Sequence, residues 1–140
     1  MKENRFGKDI VQGLYKIGFF EFVFYCNAIL WLATHKKPKQ ITPKITLNVF
    51  LKFLRVQKKD CQIVKVTKNQ IIFRWKNKCP VLDISNYLKI DTKQSCKKIS
   101  EPVCRFFLEH LSKNIEFKRN YNFIRPYQKS CEETITILKS

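Results

Sequence analysis

Residues 61–75 read CQIVKVTKNQIIFRW. Cys61, Ile63, Val64 and Val66 on one side, and Ile71, Ile72, Phe73 and Trp75 on the other, make two β-branched-rich runs around a polar turn at Lys68-Asn69. That pattern reads as a β-hairpin. It divides the chain: the upstream residues have helical periodicity, and the downstream residues mix helices with two further strand-like runs.

Upstream, Asp9 to Thr34 carries apolar residues on nearly every face, so a helix there should be covered on most sides. HKKPKQITP (35–43) is a basic, proline-punctuated linker. A second helix is expected from Pro43 to Val56, with Ile45, Val49, Phe50 and Phe53 as its apolar stripe. Downstream, a turn ending in Cys79-Pro80 leads to a short helix over Val81–Leu88. Asp91-Thr92 with Gln94 resembles a capping box opening the next helix. Glu101-Pro102 should kink or restart that helix, because proline lacks the N–H of the i→i−4 bond. Two strands are expected near 115–121 and 133–138, beside the hairpin strands 61–67 and 70–76. The predicted class is α+β: N-terminal helices packed with a small antiparallel sheet in the order hairpin, helix, strand, strand. One domain is expected over 1–140, with a helical part (1–57) and a cysteine-bearing α+β part (58–140).

With 44% hydrophobic and 14% aromatic residues, 140 residues can bury a proper core. The net charge of +17 comes mostly from lysine, 22 of 28 basic residues. Groups that read phosphates or bases favour the planar fork of arginine, and there are six. A solvated lysine-rich surface accounts for the charge, with an anionic partner as the other reading. Six cysteines in a chain that builds its own core, and no Asn-x-Ser/Thr acceptor, point to reduced thiols and a cytoplasmic protein.

Ile17 to Ala33 holds 14 apolar residues in 17, interrupted by Gly18, Glu21 and Asn27. A membrane span needs about 20. The run reads as a buried or dimer-forming helix, so a homodimer through the N-terminal helix is an expected partner and membrane insertion is not the preferred reading.

Cys79, Cys96, Cys104 and Cys131 all lie between the hairpin and the C-terminus. The gaps between them are 16, 7 and 26 residues, without the short CxxC pairs of local zinc sites. If hairpin and final strand share a sheet, Cys79 and Cys131 meet at one of its ends, and a helix crossing that sheet can bring Cys96 between them. Cys104 or His110 is then a candidate fourth ligand, for zinc or an Fe–S cluster. The alternatives are packing residues or a reactive thiol. Cys26 and Cys61 read as packing residues, and His35 as a linker residue.

Residues 118–127 (KRNYNFIRPY) interleave Arg119 and Arg125 with Tyr121, Phe123 and Tyr127. Arg119 and Arg125 could clamp an anionic ligand, with Tyr121 and Tyr127 as walls; the other reading pairs the arginines with Glu132, Glu133 or Asp83. An arginine and tyrosine wall beside the thiols should lower their pKa.

The order hairpin, cysteine turn, cysteine-bearing helix, strand, then Cys131-Glu132-Glu133-Thr134-Ile135-Thr136-Ile137 resembles the C-terminal part of the 4-vinyl reductase-like domains and the related thiazoline-carboxylate hydrolase-like proteins. The resemblance covers roughly residues 60–138. It implies a fold that encloses an apolar or metal-supported small molecule, with Cys79, Cys96 and Cys131 lining the site. The function expected is thus a cytoplasmic small-molecule- or metal-binding domain of the sensor type. A basic nucleic-acid-binding module is the alternative, and a small thiol-dependent hydrolase using Cys79 or Cys131 the third reading.

Overall fold

The computed structural model describes residues 5–138; 1–4 and 139–140, the ends of the expected domain, lie outside them. The chain opens with helices α1 (Arg5–Lys16) and α2 (Phe19–Thr34). One continuous helix was expected here, but Gly18 adopts φ 79°, a conformation glycine enters without steric cost, and the two helices meet at a 63° bend. Among the described residues no single helix is long and apolar enough to cross a membrane; α1 and α2 pass only as this bent pair.

Helix α3 (Pro43–Leu54) starts at Thr42, whose hydroxyl accepts from the Ile45 amide at 3.2 Å, with Pro43 in the first turn where no N–H is needed. Arg55 ends it in the left-handed conformation at φ 59°. Strands β1 (Cys61–Val66) and β2 (Gln70–Trp75) form the expected hairpin. After α4 (Pro80–Leu88), Asp91 caps α5 (Thr92–Ser95) by accepting from the Lys93 amide at 2.9 Å. A π-helical turn over Cys96–Ser100 then leads into α6 (Glu101–Leu111). This wide turn lies directly before Pro102, where proline disrupts the α-helical ladder. Strands β3 (Ile115–Arg119) and β4 (Cys131–Ile137) complete a four-stranded antiparallel sheet in the order β1-β2-β4-β3. The fold is α+β.

Register sets the inner face. Ile71 pairs with Ile135, Phe73 with Glu133, and Trp75 with both Cys61 and Cys131; Arg119 faces Glu133 from β3. Helices α3 and α6 cover this face, with Phe53 stacked on Phe107 at 4.0 Å and Phe50 against Phe73 and Phe117. Helix α2 lies on α6 as an outer layer and is not covered on most sides. Of its side chains Ala28 alone is fully buried, while Phe22 is 66% and Leu30 63% exposed. Among the described residues no element covers its other side.

Candidate functional site

Trp75 and Cys131 pair at one end of the sheet. β2 ends at Trp75, β4 begins opposite it at Cys131, and the chain leaving β2 reaches Cys79, the N-cap of α4. Cys96, on the π turn, is within electrostatic reach of both Cys79 and Cys131. Cys79, Cys96 and Tyr121 share one apolar cluster, whereas Cys61, Cys104 and Cys131 belong to the main core.

The charged centre of this end is buried. Arg119 donates to Glu133 Oε1 from Nη2 at 2.6 Å and from Nε at 3.1 Å. Trp75 Nε1 donates to the same oxygen at 2.9 Å. Arg119 Nη1 reaches Ser100 Oγ at 2.8 Å, and Nη2 lies 3.9 Å from Cys104 Sγ. Glu133 Oε2 is buried without a partner. Of the two readings of Arg119, pairing with Glu133 therefore holds, and the arginine is consumed within the core instead of facing a ligand. Burial is the largest influence and disfavours its charge, but the charge of Glu133, the Cys104 and Cys96 thiols and the hydrogen bond to Glu133 together outweigh it and hold its pKa well above the ordinary value.

Arg125 does reach the thiols. Its backbone N and its Nε each donate to Cys131 Sγ at 3.4 Å, its Nη1 donates to the Asn77 carbonyl, and its guanidinium stands 5.1 Å from the centre of the Trp75 ring. Its Nη2 is buried with no partner. Tyr121 donates to Glu101, and burial and that bond raise its pKa. Tyr127 turns away, donating to Asp91 at 2.8 Å.

The expected lowering of thiol pKa is reversed where a shift is resolved. Burial pushes Cys96 up to about 11 and Cys104 up to about 12, in each case against Arg119. Cys61 rises to about 11 through burial and then the charge of Glu133. Arg119 is already neutralised by Glu133, so its field cannot offset the loss of water.

His110 sits near the opposite end of the sheet, in a groove with Ile115, Glu116 and Leu138, its Nδ1 2.8 Å from the Phe106 carbonyl. It is not a fourth ligand for these thiols. Among the described residues no three His, Cys, Asp or Glu side chains come together in a group able to hold a metal ion.

Beside the thiols lies an open cleft of about 300 Å³ between α2, the end of α3, the end of β2, the start of α4 and the start of α6. Phe24, Phe53, Leu54, Trp75, Val81 and Val103 supply apolar surface. Asn27, Asn77, Ser100, Cys79 and Cys104 add polar atoms, and Arg55 and Lys78 add charge. The cleft is tied together across elements: Asn77 Nδ2 donates to the Arg55 carbonyl at 3.5 Å, while the Asn77 carbonyl accepts from Arg125. Sequence reasoning found Cys79 and Cys104 but missed Phe24, Asn27, Arg55 and Ser100, which enter from helices whose packing the pattern does not specify. Trp75 reads from sequence only as part of the hairpin; its period-two spacing with Ile71 and Phe73 is the signal that marks it as inward.

Comparison with protein-family models, with curated proteins and with solved structures yields no match.

Proposed function

We propose that this chain is a small-molecule-binding domain of the sensor or regulatory type, with its ligand in the cleft beside Cys79 and Cys104. The observation that carries the reading is the cleft itself: about 300 Å³, at the small end of ligand sites, with mostly apolar walls and a few fixed polar groups. The order of elements over residues 60–138, which resembles that of the 4-vinyl reductase-like domains, suggests the same class from sequence. The six free thiols suit a reducing compartment, which we take to be the cytoplasm. The metal form of the reading has no ligand cluster behind it and is set aside. The hydrolase reading lacks a base, since both histidines lie against carbonyls of their own helices and neither bonds a thiol. The nucleic-acid reading loses much of its arginine: Arg74, Arg105 and Arg119 pair with Glu132, Glu101 and Glu133, and Arg125 is held by Asn77 and Cys131.

The test is saturable binding of the neutral fluorophore N-phenyl-1-naphthylamine, read by its fluorescence. Binding should disappear in Leu54→Trp, which fills the half-buried wall of the cleft. No binding by the folded wild type, or unchanged binding by the folded variant, removes the proposal.

A second observation concerns partners. Phe19, Phe22, Val23, Cys26, Ile29, Leu30 and Ala33 form an exposed stripe along α2 at the three-to-four spacing of a helix–helix seam. With Phe6 and Ile10 of α1 and Ile17 of the turn that follows it, the large apolar residues expose on the order of 800 Å² per chain, which matches one side of a standard interface. We propose that a second copy covers it. Sedimentation should give a dimer that Phe22→Glu/Leu30→Glu converts to monomer; a monomeric wild type at tens of micromolar refutes this.

A further inference from the structure

The charge around the cleft is one-sided. Arg55 and Lys78 line it, and no Asp or Glu does. Arg55 is held in place at a strained backbone position, φ 59°, with its carbonyl bonded to Asn77. Behind Asn77, Arg125 presents a buried Nη2 with no partner, a donor on a cation left over beside a cleft-lining residue. The buried cation Arg119 is by contrast paired with Glu133. The uncompensated positive charge thus belongs to the rim, and the apolar walls lie beneath it.

We infer that the cleft takes a small apolar molecule carrying one anionic group, such as a carboxylate, sulfonate or phosphate. The charge lies between Arg55 and Lys78, and the body lies against Phe53, Trp75 and Val103. This inference rests on the ligand-binding reading above. An apolar body supplies affinity through area removed from water, whereas the charge selects orientation and partner. Arg55 and Lys78 are exposed, so their contribution is modest and screened by salt.

Two probes of the same skeleton separate the claims: N-phenyl-1-naphthylamine, which is neutral, and 8-anilinonaphthalene-1-sulfonate, which adds the anion. The anionic probe should bind wild type roughly three- to tenfold more tightly at low salt. Arg55→Gln/Lys78→Gln should erase that preference, bringing the affinities of the two probes together. Lys36→Gln/Lys37→Gln removes the same charge from the linker and should leave the preference intact. Equal affinity of the two probes for wild type, or equal loss in both double variants, overturns the inference while the cleft remains a ligand site. Failure of both probes to bind overturns the ligand-binding reading and this inference with it.

Discussion

Arg119 and Glu133 face each other across β3 and β4 at 2.6 Å, with side chains only 2% and 0% exposed. An ion pair this far from water is costly to form, and breaking one side of it leaves a buried charge alone. Glu133→Gln should therefore lower unfolding free energy by about 3–5 kcal/mol. Arg119→Met/Glu133→Leu, which removes both charges, should cost less than the single change. Urea denaturation followed by tryptophan fluorescence reads both; equal losses would mean that packing, not charge, dominates this site.

The raised thiols give a pH dependence. Cys96 and Cys104 have an ordinary pKa of 9.0, raised to about 11 and about 12 by burial. The native state thus favours the protonated thiols. That stabilisation is complete below pH 9 and is lost as pH climbs through 11 and 12. Relative to Cys96→Ala/Cys104→Ala, wild type should lose stability steadily above pH 9. A constant difference between the two proteins from pH 7 to pH 11 would contradict this.

Alkylation should track exposure. At neutral pH, in the Phe22→Glu/Leu30→Glu monomer that leaves α2 uncovered, Cys26 should react with N-ethylmaleimide first, and Cys61, Cys96 and Cys104 last. Saturation with N-phenyl-1-naphthylamine should slow modification of Cys79, which lines the cleft, and leave Cys26 unaffected. Peptide mass spectrometry distinguishes the sites.

Gly18 and Gly13 should respond in opposite directions to substitution. Gly18→Ala meets a positive φ, and its Cβ would lie 2.9 Å from Glu21 Oε2, a flexible side chain, so conformation sets the penalty at about 1–2 kcal/mol. Gly13 lies within α1 with nothing near its missing Cβ, so Gly13→Ala should gain up to about 1 kcal/mol. Thermal melts would show the two shifts.

The hairpin and the Asp91 cap were legible because each depends on neighbours within a few residues. That Cys131 opens the last strand was legible too, and the pairing of Trp75 with Cys131 sets it at the end of the sheet where β2 stops. The break at Gly18 was not. An apolar run reads the same whether or not it bends, and one glycine inside it carries little signal. Nor could periodicity show that Arg119 would spend itself on Glu133 while Arg125 turned to Cys131, because that choice depends on strand register. The cleft was illegible for a similar reason: Phe24 and Arg55 are far from Ser100 in sequence, and tertiary packing alone brings them together.

The π turn at Cys96–Ser100 bears on which length changes the chain can absorb. Buried positions run from Thr92 through Ser95, Ile99, Val103 and Phe107 to Leu111, five turns in 19 steps, where an α-helix would take about 18. The wide turn takes up the surplus residue and keeps both halves facing inward. Deleting one residue within 96–100 should therefore convert it to an ordinary turn and leave Phe107 on the core. The same deletion between Val103 and Phe107 would swing the later turns by about 100° and expose them. Among homologous chains, gaps in this helix should gather at the π turn.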